Sequence, residues 1–146
     1  MENKEVIKNI LKKWQFPILE DEGNHIVFRY QMQYIQASFS GHDEIKAIAM
    51  TMSSIFTADD EEELFKAMRA CNELNNELLH VKLYIGRESE LILASEFFYR
   101  KEDDVEFQFK TGLDSLILAK KRFIKRYEDI DTEAALLAEL EDNDDE

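Results

Sequence analysis

Few residues of this 146-residue chain combine the types and the spacing that do chemistry. His25, His42 and His80 stand far apart, each near a turn or a strand end. They lack the HxxxH-type helical spacing and the neighbouring cysteine that would gather a zinc ion, so they read as surface or turn histidines. Ser53-Ser54 and Ser38-Phe39-Ser40-Gly41 lack the sharp strand-turn-helix elbow that exposes a nucleophilic serine, and no GxSxG occurs. The glycines Gly23, Gly41, Gly86 and Gly112 are too isolated to write a phosphate-cradling GxGxxG or a P-loop. The densest carboxylate run, Asp59-Asp60-Glu61-Glu62-Glu63, has no EF-hand spacing. On a helix these side chains would point around the cylinder instead of converging on a cation. With Thr57 ahead of it as the cap, the run reads as a helix N-terminus favoured by the helix dipole. No catalytic, cofactor-binding or metal-ligating residue is expected, and the chain is expected not to be an enzyme.

Two other features invite a functional reading. Asn75 falls in a stripe with Leu64, Met68, Cys71 and Leu78, at helical intervals of four and three. An amide there is costly unless bonded, so it is expected to hydrogen-bond backbone at the junction between that helix and the following hairpin. Secondly, the segment Ile45 to Ile55 is apolar in both phases of a two-residue alternation. Ile48, Met50 and Met52, with Tyr84, Ile92 and Phe98 of the later strands, are expected to form a second sheet face that binds a partner protein. The alternative is that helices cover both faces within one monomer.

The elements that would position these residues follow from periodicity. Val6, Ile7, Ile10, Leu11 and Trp14 make an amphipathic first helix ended by Pro17. Glu22-Gly23-Asn24 is a turn before a strand at Ile26 to Tyr30. Tyr34 to Phe39 alternates as a second strand, and Ser40-Gly41-His42-Asp43 turns into the third. A helix from the acidic run to about Leu79 comes next, then a hairpin of Val81 to Ile85 and Leu91 to Tyr99 about Gly86-Arg87-Glu88-Ser89. Val105 to Phe109 fits either a strand or an early helical turn. Thr111 is expected to cap a last helix carrying Leu113, Leu116, Phe123, Tyr127 and Ile130. The order α-β-β-β-α-β-β-α predicts an α+β domain over residues 1–130, with a five-stranded antiparallel sheet packed with helices. Residues 131–146 form an acidic C-terminal tail, partly helical or disordered.

Charge narrows the partners. There are 32 acidic against 18 basic residues, a net charge of −14, and residues 131–146 contribute eight carboxylates and no base. Such a surface opposes phosphate backbones and anionic membranes, so neither nucleic acid nor membrane is expected as a partner. Cys71 is the sole cysteine, which excludes an internal disulfide. With no signal-like apolar segment at the start, the composition points to the cytoplasm.

The stretch Phe65 to Tyr99 carries Cys71-Asn72-Glu73-Leu74-Asn75 on a helix, followed by a hairpin ending Leu91-Ile92-Leu93-Ala94-Ser95-Glu96-Phe97. Together with the element order over about Glu5 to Ile130, it resembles the YbjN family of bacterial sensory transduction regulators, whose members share a fold with type III secretion chaperones. The resemblance implies a helix-flanked antiparallel sheet, frequent homodimers and a regulatory or chaperone-like role. It supplies no settled functional residues. The expected function is therefore a non-catalytic protein-binding regulator or adaptor that needs no cofactor. The alternative is a small-molecule sensor with a pocket between sheet and helices, lined by Trp14, Phe28, Tyr30 or Tyr84.

Overall fold

The computed structural model describes residues 2–42 and 44–144. Helix α1 (Asn3–Lys13) is followed by four strands, β1 (Ile18–Glu22), β2 (His25–Tyr30), β3 (Gln33–His42) and β4 (Ile45–Met52). Helix α2 (Glu61–Glu77), strands β5 (Lys82–Ile85) and β6 (Leu91–Tyr99), a 3₁₀ turn at Glu102–Asp104 and helix α3 (Val105–Asp144) complete the chain. All strand pairs are antiparallel, in the order β1-β2-β3-β4-β6-β5.

The sheet therefore has six strands where periodicity predicts five. The additional one is β1, in which only Ile18 is even partly buried and Glu20, Asp21 and Glu22 follow in a row. Its composition disfavours a strand. The chain folds back at Gly23, whose φ of 53° suits glycine, and the ladder to β2 then fixes β1 as an acidic edge. Asp43 of the Ser40-Gly41-His42-Asp43 turn, and Asp145 and Glu146 of the tail, lie outside the described residues.

Helix α1 buries Val6, Ile7, Ile10 and Leu11 and stops where Gln15 turns left-handed before Pro17. Helix α2 is capped one residue before its start by Asp60, which accepts from the Glu63 amide at 2.8 Å, and not by Thr57. Glu63 returns the favour to the Asp59 amide at 2.7 Å. Thr57 instead bridges to Glu90. The buried stripe of α2 is Ala67, Ala70, Cys71 and Leu74, rotated from the expected one, so that Met68 is half exposed and Asn75 lies at its margin. Small residues decide this: the close packing of α2 against α3 selects alanines over the bulkier Met68.

Residues 105–109 are helical, and α3 begins six residues before Thr111 and runs through most of the acidic tail. Val105, Phe109, Leu113, Leu116, Ala119, Phe123 and Ile130 make its buried stripe. Gly112 interrupts the pattern for a packing reason. A Cβ there would lie 2.3 Å from Met50 Cε and 3.1 Å from Ser95 Oγ, so its absence lets α3 cross the sheet closely. Trp14 stacks on Phe109 at 5.7 Å, and Phe56 packs on Phe123 and Tyr127 at 5.4 and 4.8 Å. The core thus sits between the three helices and one face of the sheet.

Candidate functional site: the uncovered sheet face

Strand alternation divides the candidate partner-binding residues in two. Ile48, Met50 and Met52 are fully buried on the helix-covered face. Tyr84, Ile92 and Phe98 lie on the opposite face, where Phe98 is 64% and Tyr84 41% exposed and Ile92 is partly buried. The expected six-residue surface is corrected accordingly. Both phases of β4 are apolar, and the phase holding the bulkier Ile48, Met50 and Met52 is the one the helices cover, because larger side chains release more apolar area from water.

The uncovered face has a floor of small side chains. Register places Ser40, Ala47 and Phe98 in one row, Ser38, Ala49 and Glu96 in the next, and Gln36, Thr51, Ala94 and Lys82 in a third. Phe98 stands over this floor, beside a depression of about 720 Å³ lined by Ser40, Gly41, Glu44, Ile45, Ala47 and Arg100. A second hollow of about 470 Å³ lies at the other end, among Thr51, Ser53, Ser54, Tyr84, Glu88 and Ile92. Lys82 and Glu96 close to 3.5 Å between them.

The sheet edges differ. β1 is guarded by its carboxylates. On β5, Asn75 takes the place of a further strand: its amide nitrogen donates to the Leu83 carbonyl and its oxygen accepts from the Leu83 N–H, both at 2.9 Å. That closes the outer side of a strand that would otherwise offer a free donor and acceptor. β5 pairs only with 91–94 of β6, so among the described residues 95–99 have a strand partner on the β4 side alone. This open stretch includes Phe98, and the exposed Phe107 lies beside it.

Other reactive groups are accounted for locally. Trp14, Phe28 and Tyr30 do not line a shared pocket with Tyr84; they pack in the core under α3, while Tyr84 faces the other way. The Trp14 indole donates to Glu106 at 3.0 Å. The Tyr30 hydroxyl donates to Asp114 at 2.5 Å and accepts from Lys110, tying the end of β2 to α3; burial, then Asp114, push that phenol upward. Burial pushes the Cys71 thiol up to about 11, which keeps it protonated and unreactive.

One grouping was missed in the sequence because β1 was not expected. Glu20, Glu22 and His25 meet across the Gly23 hairpin, with ligand atoms within 4.8 Å of one another. The signal was the spacing of two carboxylates and a histidine about a two-residue turn. His25, partly buried, already pairs with the exposed Glu20 at 3.5 Å, which accounts for the grouping.

The fold defines the class, an α+β domain with a helix-backed antiparallel sheet of the YbjN kind. YbjN from E. coli, a proposed transcription regulator, superposes with a TM-score of 0.58 at 7% identity, covering 81% of this chain and 88% of that one. An uncharacterized protein from Methanothermobacter thermautotrophicus superposes with a TM-score of 0.53 at 16% identity, over 86% and 96%. No family model and no curated protein sequence matches the chain, so the likeness is one of fold. Among the described residues no helix is long and apolar enough to cross a membrane.

Proposed function

We propose that this domain is a non-catalytic, cytoplasmic protein-binding regulator or chaperone-like adaptor that forms homodimers and holds a client segment on its uncovered sheet face. The observation that carries the reading is Phe98, a large aromatic standing 64% exposed over a floor of alanine, serine and threonine. Small floor residues let a partner's side chains approach the sheet, and a central aromatic is the usual anchor of such contacts. The unpaired side of 95–99 beside it favours an extended client, which would add main-chain hydrogen bonds there and place alternate side chains on either face. The net charge of −14 favours basic clients over nucleic acid or membrane.

The test is a tagged pull-down from the native host's lysate with wild type and Phe98→Glu in parallel, and sedimentation velocity on both. A stoichiometric partner, or a dimer, that is lost in the folded Phe98→Glu protein supports the reading. A partner retained equally by the variant, or none beyond background, sinks it. A second reading, small-molecule sensing, is favoured by one observation. A hollow of about 220 Å³ between β6 and the start of α3 is lined by His80, Ser95, Phe107, Thr111 and Gly112, with Ser95 itself buried. A saturable thermal shift with a ligand, removed by Ser95→Val, would select it.

A further inference from the structure

The C-terminal turns of α3 run past the body of the protein. Residues 131–143 are exposed apart from Ala134, which is partly buried, yet they continue the helix for a further three to four turns, a rod of about 20 Å at the ordinary rise. Ion pairs hold the base of this extension to α2: Lys66 reaches Asp131 at 2.7 Å and Arg69 reaches Glu133 at 3.3 Å. Between the two helices lies a groove of about 200 Å³, walled by Phe65, Ile130, Ala134 and Leu137 and rimmed by the ion-paired Lys66, Arg69 and Glu133. The surface between those paired charges is apolar, and Phe65 and Leu137 are each more than half exposed. Leu136 and Leu140, four residues apart and also more than half exposed, continue the apolar surface along the extension.

An amphipathic stripe of this kind is normally covered. What would cover it is decided by charge. Residues 131–146 hold eight carboxylates and no base, and Lys66 and Arg69, which reach this extension, are already taken up by Asp131 and Glu133. Glu139, Glu141 and Asp142 flank the leucines without a basic partner among the described residues. A second copy would bring the same acidic helix against itself, and like charges disfavour that pairing. We propose that the groove between α2 and the end of α3 docks a basic amphipathic helical segment of another protein. Apolar side chains of that segment enter between Phe65 and Leu137, and its lysines or arginines meet the flanking carboxylates. A helix of about 14 residues would match the extension in length. This surface lies on α2 and α3, apart from the uncovered sheet face, and does not depend on that face binding anything.

The experiment titrates the full chain into a fluorescently labelled synthetic peptide, read by anisotropy. The peptide is an 18-residue helix-former with leucine on one face and lysine elsewhere, and its composition-matched scramble has no apolar face. The expected result is saturable binding that is at least tenfold weaker for the scramble. Leu137→Glu and, separately, Leu140→Glu are expected to weaken it at least tenfold although each adds a negative charge, while Met32→Glu, which adds the same charge at the exposed β2–β3 turn, leaves it unchanged. Leu140 is more than half exposed and lies outside the core, so that variant separates docking from folding, which circular dichroism checks. Equal affinity for peptide and scramble, or undiminished binding by both leucine variants, overturns the proposal in favour of bare charge attraction. A wild-type dimer that Leu140→Glu splits in sedimentation overturns it in favour of a second copy.

Discussion

Phe97 and Phe98 are neighbours of one residue type on one strand, yet the first is 8% exposed and the second 64%. They differ only in which side of the sheet they face. On Phe97's side, the three helices cover Ile48, Met50, Met52, Leu93 and Ser95 with no large group left to solvent. On Phe98's side, β4 and β6 present three alanines, a threonine, Ile45, Ile92, Glu96 and one unsheltered aromatic, Phe98 itself. The difference teaches that apolar character alone does not mark a core. A face becomes core when its side chains are bulky enough to fill the space beneath helices, and the face left over, though also apolar, is built shallow and open.

The largest expected effect comes from exchanging the chemistry of the two sides. Met50→Glu places a carboxylate against α3 beside Gly112 with no counter-charge, and should cost on the order of 4 kcal/mol or more in urea unfolding. Phe98→Glu should alter stability by no more than about 0.5 kcal/mol. Equal losses in the two variants would mean that the outer face is structural as well.

A middle-sized effect is expected where the covered side meets an edge. Asn75→Leu removes both bonds to Leu83 and leaves its N–H and carbonyl unpaired on the outer side of β5. The expected cost is about 1–3 kcal/mol, with a rise in light scattering on storage as the exposed edge pairs between molecules. Unchanged stability and solubility would show that water replaces the amide without penalty.

The smallest effect separates the carboxylates of β1 by side. Asp21 faces α1, where hydrogen bonds first from Lys4 and then from Lys8 hold its carboxyl down to about 2. Because its folded-state value is depressed, its contribution to stability is present above about pH 4 and is lost as pH falls from there towards 2. Asp21→Asn should flatten the thermal midpoint across that window relative to wild type. Glu20→Gln with Glu22→Gln, on the open side, should leave the slope in place.

Much of this division was legible in the residues and some was not. Helical periodicity at Val6 to Leu11, alternation at Ile26 to Phe39 and the Gly86 to Ser89 turn each specify their element locally, because the pattern, the cap and the turn residue agree. β1 was illegible because three consecutive acids carry no alternation; only its pairing with β2 makes it a strand. The start of α3 was hidden by Thr111, which reads as a cap but lies six residues inside the helix, next to the Gly112 that allows a close approach to Met50. The candidate surface was half legible: Tyr84, Ile92 and Phe98 belong together, and Ile48, Met50 and Met52 do not join them.

The sequence by itself determined the α+β class, most elements, the acidic character and the lack of any recognisable catalytic motif, since these follow from residue type and short-range spacing. Only the tertiary structure decided which phase of an all-apolar strand is buried, that Asn75 closes a sheet edge, and that the acidic tail carries the last helix beyond the body. Those outcomes depend on which surfaces meet across long stretches of chain, and a two-residue or 3.6-residue period holds no information about what lies on the other side.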